Sequence, residues 1–385
     1  MDYSRLRELH ERDGDARFTK FVVNDLIAKG ELNARNFSVK AMWEACGGPD
    51  LNIGKRLLGK PITEAEFQEA MDSSAFPKIT GALINKTLID AYDQAYGAGL
   101  ELVTVLPSSQ RDDTVVGYTG RDTLAEVEEG MPYQQGGFGE KYVKIRNRKW
   151  GRIISLTEEM VKFDQTNQLV QQAGAAGEDA RSKQDEIIME AITGYVNTGV
   201  YASWRPAATA TTLYSDTSTD PADAANPVST TFDNVNTNAL TDETDIDENV
   251  ILLGAATNEQ GRPISINPTH LVCGWGKIQV ARRILESTNA SKLTTPAGVK
   301  NIYLGQIQPL VSSWVTTKLG ANYWLIGEFK KQFVYTEVFP VQTFQAKPGN
   351  EEEFNRDVIY QYKARFMGGA GATGNKRVIR STGAS

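Results

Sequence analysis

Between Lys141 and Arg152 the chain carries Lys141, Lys144, Arg146, Arg148, Lys149 and Arg152 with no acid among them. Side chains alternate along a strand, so Tyr142, Lys144, Arg146, Arg148, Trp150 and Arg152 are predicted to share one face. The next residues, Ser155-Leu156-Thr157-Glu158, have the spacing of a capping box and predict an abrupt helix start. A long helix is expected from about Asn167 to Thr193, with Leu169, Ala173, Ala176, Ala180, Ile187 and Ala191 along one stripe. Gly174-Ala175-Ala176-Gly177 sits at its centre. A mid-helix glycine costs about 1 kcal/mol relative to alanine, so something must approach closely there. The backbone of a sheet is the expected neighbour.

The segment before the basic strand is its electrostatic opposite. Asp112, Asp113, Asp122, Glu126, Glu128, Glu129 and Glu140 face only Arg111 and Arg121 between residues 107 and 140. Two strand-like limbs around a Gly-rich end predict a long projecting hairpin, with the basic strand as its return limb. A two-stranded ribbon is marginal alone and needs a partner surface. The charge separation suggests the partner: the acidic limb of one copy near the basic limb of another. The residues expected to make that contact are Glu126, Glu128 and Glu129 against Lys144, Arg146 and Arg148.

Composition removes several classes of function. The 385 residues exceed one ordinary core, so two domains or an elongated subunit with arms is expected. A net charge of −7 argues against general nucleic-acid affinity, although a local basic strip remains. Two cysteines, Cys46 and Cys273, and two histidines, His10 and His270, leave no disulfide framework and little scope for zinc or histidine catalysis. No apolar run approaches the roughly 20 residues of a membrane span, and the N-terminus lacks a signal peptide's apolar core. No catalytic, cofactor or metal site is predicted. Asp242 to Glu248 lacks the glycine and final glutamate of a calcium loop and reads as a solvated acidic loop. His270 reads as a structural polar residue, and the two cysteines as semi-buried thiols. Gly136-Gly137-Phe138-Gly139 and Gly368-Gly369-Ala370-Gly371 lack the Lys-Ser/Thr pair of a phosphate loop and read as turns.

Elsewhere, residues 1–75 read as short charged helices, too small to bury much alone: Tyr3 to Arg12, Phe18 to Lys29, Val39 to Ala45, and Glu64 to Met71. Ile79, Leu83, Ile84, Leu88, Ile89 and Tyr92 recur at helical spacing, and Leu100 to Leu106 reads as a strand. From Pro206 to Gly261 there is no lysine or arginine, which predicts a surface insertion or a set of long loops at about 205–250. A helix is predicted over Lys277 to Ser287 with Ile278, Ala281, Ile284 and Leu285 inward. Strands are predicted at 302–304, 306–311, 323–327, 332–338 and 358–367, the last ended by Gly368-Gly369.

This order of parts resembles the major capsid protein of tailed phages with the Hong Kong 97-type (Johnson) fold. Three segments carry the resemblance: Lys141 to Gly194; Gly261-Arg262-Pro263-Ile264-Ser265-Ile266-Asn267-Pro268 with Ala281 to Ser287; and Phe354-Asn355-Arg356-Asp357 through Tyr362-Lys363-Ala364-Arg365. The second is similar to the branch near Mu-like head subunits. The resemblance implies a mixed α+β fold with an N-terminal arm at 1–75 and an extended loop at 103–150. A peripheral domain would combine 76–102, 151–195 (with a spine helix) and 346–385. An axial domain would occupy 196–345.

The implied function is assembly: pentamers and hexamers closing into an icosahedral shell around double-stranded DNA. The implied partners are other copies of the chain, a scaffolding protein, a portal, a decoration protein and packaged DNA through weak inner-face contact. No membrane is involved, and the location is the virion, after synthesis in the bacterial cytoplasm. Some members cross-link a loop lysine to a neighbour's asparagine. There is no lysine here from Thr87 to Glu140, so no such bond is expected. Residues 1–75 show no sustained heptads, which points to separately supplied scaffolding. The rival readings are an encapsulin-type nanocompartment shell and a soluble enzyme with an acidic lid.

Overall fold

The computed structural model describes residues 3–32, 37–46, 75–118, 140–157, 168–194, 213–215, 232–258, 261–289, 300–346 and 358–383. The fold is mixed α+β. Two compact units divide the chain. The first comprises Met1–Tyr96, Lys149–Ser182 and Pro340–Phe366; the second comprises Gly97–Arg148, Lys183–Phe339 and Met367–Ser385.

In the first unit, helix α1 (Tyr3–Phe21) turns at Gly14, whose φ of 73° is open to glycine. It continues as a π-helix over Val22–Ile27, and α2 (Val39–Ala45) follows. These helices pack on α3 (Ala75–Gln94). Leu6, Phe18, Val22, Leu26, Phe37, Met42 and Trp43 are buried in one cluster with Phe76, Ile79, Leu83 and Ile84. The N-terminal helices, too small to bury much alone, bury these side chains jointly and against α3. The helix predicted over Glu64 to Met71 lies outside the described residues.

The long helix expected from about Asn167 to Thr193 is α5 (Gln168–Thr193), which follows α4 (Gly99–Leu102) in helix order. Its glycine is required, but by a helix and not a sheet. A Cβ on Gly177 would sit on the Leu88 carbonyl oxygen and 3.1 Å from the Ala91 Cβ. The backbone of α3 crosses α5 there, and Leu169, Val170, Ala173 and Ala176 join the same core.

The strands are β1 (Thr104–Pro107), β2 (Asp112–Tyr118), β3 (Glu140–Arg146), β4 (Arg148–Thr157) and β5 (Val235–Asn236). They continue with β6 (His270–Cys273), β7 (Gln308–Val311), β8 (Trp324–Gly327), β9 (Phe333–Ala346), β10 (Val358–Ala372) and β11 (Val378–Ser381). One sheet has the order β1-β9-β10-β4, a second β5-β11-β8-β6-β7, and β2 pairs with β3 alone. The second sheet lies wholly in the second unit, against α6 (Glu243–Gly254) and α7 (Ile278–Glu286). Ile278, Ala281, Ile284 and Leu285 are all buried, as their spacing predicts. A last short helix, α8 (Ser313–Lys318), places Lys318 against Glu186 at 3.2 Å and Glu190 at 2.5 Å.

Five local expectations are corrected. Ser155 to Thr157 is strand, because Ile154 and Leu156 alternate into the core and the period-2 pattern overrides the cap spacing. Glu158 lies outside the described residues. Asp242 is not in a loop: it caps α6, accepting from the Thr244 N–H and forming a capping box with Asp245. Residues 302–304 form a turn, and 99–102 a short helix. β10 runs through Gly368-Gly369 because a Cβ on Gly368 would overlap the Tyr335 hydroxyl and one on Gly369 would stand 2.9 Å from the Arg146 carbonyl oxygen.

Gly177→Val should lower the melting temperature of the unassembled subunit, with a loss of about 1–3 kcal/mol from overpacking. Gly174→Ala should be neutral or stabilising, since its nearest neighbour, Thr87 Cγ2, is 4.0 Å from the added Cβ. Thermal melts of the two variants check this contrast.

Candidate inter-subunit hairpin

β2 and β3 pair antiparallel from Asp112↔Arg146 to Tyr118↔Glu140. The hairpin expected from the charge pattern is therefore formed, and its residues 119–139 lie outside the described residues. Val143 and Ile145 are buried with Val334, and Val115 packs beside them. The alternate positions, Lys144 and Arg146, are exposed. Hydrophobic side chains thus fasten one face of the ribbon's base and leave the cations on the other.

Arg146 Nε lies 3.8 Å from Asp112 Oδ1, with both side chains largely exposed. Such a pair contributes little. Lys144 stands opposite Thr114, not an acid. Arg148 is half-buried at the start of β4. Of the acids expected to meet these cations, Glu126, Glu128 and Glu129 lie outside the described residues.

The single basic strand predicted over 141–152 is two strands, broken at Asn147. Trp150 stacks on Phe366 with ring centroids 5.4 Å apart, and Arg152 pairs with Asp179 at 3.0 Å. Asn147 is 2% exposed. Its backbone N–H donates to the Arg111 carbonyl at 2.7 Å. Its Nδ2 donates to Asp113 Oδ2 at 2.6 Å, to the Gln110 carbonyl at 2.8 Å and to Ser108 Oγ at 3.2 Å. Thr336 Oγ1 donates to Asn147 Oδ1 at 2.6 Å and to the Gly369 carbonyl at 3.1 Å. One amide therefore clasps both limbs of the hairpin to β9 and β10. Sequence reasoning missed it; the only signal was a short neutral amide inside a run of cations.

Other polar residues singled out by sequence do not converge on chemistry. His270 Nδ1 pairs with Thr269 Oγ1 at 2.8 Å, and Nε2 is 3.9 Å from Glu101. Burial lowers the His270 pKa, against the raising influence of Glu101. Cys46 and Cys273 are fully buried, not semi-buried, and burial pushes both thiols up to about 12. Tyr214, whose hydroxyl donates to the Ile192 carbonyl at 2.7 Å, carries Arg380 over its ring at 4.9 Å. Among the described residues no cluster of metal-binding side chains occurs, and no described helix is long and apolar enough to cross a membrane.

The described residues build a basic-faced hairpin fastened to a mixed α+β body. Residues 140–380 match the family described as phage capsid protein. The chain belongs to that family. It is a structural protein of the virion, a subunit of the shell of a phage head or related particle, and not an enzyme. No curated protein matches it in sequence.

Among solved structures it is similar to the capsid of cyanophage P-SCSP1u, at 10% identity and TM-score 0.48, covering 74% of this chain and 88% of that one. The capsid of a native GTA particle matches at 11% identity and TM-score 0.46, covering 73% and 88%. A virus-like particle from Pyrococcus furiosus matches at 9% identity and TM-score 0.42, covering 77% and 96%.

Asn147→Ala should destabilise the hairpin base by about 1–3 kcal/mol, because its partners lose a buried hydrogen-bonding group. Faster amide exchange across 112–118 and 140–146, with unchanged exchange in α7, is the expected readout. Because the folded His270 pKa lies below its ordinary value of about 6.5, its contribution to stability is present above that value and lost as pH falls below it. His270→Gln should flatten that acid limb in a stability-versus-pH titration.

Proposed function

We propose that this chain is the major capsid subunit of a tailed bacteriophage with the Hong Kong 97-type fold, in the branch near Mu-like head subunits. It assembles as pentamers and hexamers into an icosahedral head around double-stranded DNA. Scaffolding, portal and decoration proteins are its further partners, and DNA touches the inner face weakly. In this reading 1–75 is the N-terminal arm, 103–150 the extended loop, 196–345 the axial domain, and the remainder the peripheral domain. The family match supports the shell role, and the hairpin is the observation that carries the mechanism.

The hairpin has a fastened base, one apolar face turned to the body, and one cationic face left for another molecule. Glu126, Glu128 and Glu129 of one copy meet Lys144, Arg146 and Arg148 of the next. The weak Arg146–Asp112 pair leaves those cations available to a closer carboxylate. Burial at overlapping extensions contributes about 25 cal/mol per Å² before ordering costs, so many modest contacts sum to a durable particle. The sequence from Gly261 to Pro268 leading into β6 supports the Mu-like branch.

Arg146→Glu with Arg148→Glu should abolish particle formation while leaving the melting curve of the subunit unchanged. Electron microscopy and size-exclusion chromatography measure this. Particles at normal yield would refute the pairing.

A further inference from the structure

The last residue of α8, Lys318, is shared by two acids of α5. Its Nζ lies 2.5 Å from Glu190 Oε1 and 3.2 Å from Glu186 Oε1. The two glutamates are four residues apart on one helix, so they stand on the same face. Glu186 has a second cation, with Lys183 Nζ 2.6 Å from its Oε2. Glu190 is the less well served of the two. Its side chain is 3% exposed. Its Oε2 is buried without a hydrogen-bond partner among the described residues.

That difference decides which acid takes up a proton first. Burial disfavours the charged form of a carboxyl group, and a like charge one turn away disfavours it further. Both act on Glu190, from its surroundings and from Glu186, while Lys318 and Lys183 oppose them. Burial is the largest influence and raises the Glu190 pKa above its ordinary value of 4.5. Burial is also the largest single influence on Glu186, yet Lys183 and Lys318 together hold its pKa below 4.5. Arg380 of β11 turns to the end of α5 instead, where its Nη1 is 3.4 Å from the Thr193 carbonyl oxygen.

The element this proton controls is α8. It has six residues, of which Val315 is buried. Trp275 Nε1 donates to Ser313 Oγ at 3.0 Å, and Lys318 is the polar tie to α5. Lifting Lys318 away would admit water to Glu190, and a hydrated glutamate regains its ordinary proton affinity. The closed arrangement therefore binds the proton more tightly than the open one. By linkage, proton uptake favours closure. As pH rises from 4.5 through the folded value, the proton leaves. Glu190 is then a buried anion with one oxygen unsatisfied, and opening relieves it.

We propose that Glu190 is a proton-binding site that regulates α8: its protonated side chain locks α8 on α5, and deprotonation toward neutral pH loosens it. The second unit is thus stiffer in mild acid. A carboxylate whose folded pKa is depressed acts in the opposite sense, losing its hold as it is protonated.

The test uses the full-length, unassembled subunit. Hydrogen–deuterium exchange of a peptide covering 313–320 is followed from mild acid to neutral pH, with each rate corrected for the intrinsic pH dependence of exchange. Protection of α8 should fall as pH rises. Glu190→Gln, neutral at every pH, should keep α8 protected throughout. Two further variants should move the midpoint of the response in opposite directions, which a merely structural role would not do. Lys318→Met removes the cation that opposes protonation and shifts the midpoint to higher pH. Glu186→Gln removes the like charge and shifts it to lower pH. These two decide the matter even if Glu190→Gln does not fold. Protection that rises with pH overturns the proposal, as does an equal fall in α7 or a midpoint unmoved in both variants.

Discussion

The crossing of α3 and α5 at Gly177 constrains the first unit more than any other contact. The Leu88 carbonyl lies where any side chain at position 177 would go. Because the two backbones meet there, Leu83, Leu88, Leu169, Ala173 and Ala176 share one core with Ile154, Leu156, Tyr362 and Ala364. Both helices can then cover the same face of the strands, while Ile153 and Phe344 are exposed. A bulkier residue at 177 would push the helices apart and open voids along that core, where packing tolerates little change of volume.

The second unit depends on polar fastening of its projections as well as on its own core. The β2–β3 ribbon makes no further sheet pairing among the described residues, so its base must hold it. Val143 and Ile145 supply the apolar part, and Asn147 with Thr336 the directional part. Hydrophobic contact alone would fix neither the register nor the angle, because it is non-directional. A buried amide with all its hydrogen bonds made does both. For a shell subunit this matters: a projection can reach a neighbour only if its root is rigid, and weak contacts close a lattice only if they fall at repeated positions.

The charge distribution follows the same division of labour. The exposed cations Lys144 and Arg146 on β3 carry little internal compensation, while the half-buried Lys318 stands between Glu186 and Glu190. That half-buried set ties α8 to α5 within one molecule. The exposed set, such as Arg146 with Asp112 at 3.8 Å, is screened and contributes little in the isolated subunit.

Much of this architecture was legible in the residues. The span of α5, the inward stripe of α7, the hairpin and the core-facing alternation of Val358, Tyr362, Ala364 and Phe366 follow from periods of 3.6 and 2 that burial enforces. The resemblance to capsid subunits was readable in the order of segments, and the family match confirms it. What failed were inferences from short signals. Ser155-Leu156-Thr157-Glu158 has the spacing of a cap, yet Ile154 and Leu156 were claimed by the sheet. Gly368-Gly369 reads as a stop, yet these glycines let β10 pass Tyr335 and Arg146.

By itself, the sequence determined the long periodic segments, such as α5, α7 and the β2–β3 pair, the faces of them that are apolar, and the segregation of charge along the hairpin. Those properties are local and periodic. Only the tertiary structure decided that Gly177 meets a helix, that Asn147 breaks the basic strand and clasps its base, and that Lys318 stands between Glu186 and Glu190. Each depends on residues far apart in the chain, 336 with 147 or 88 with 177, and no local spacing encodes a contact across that distance.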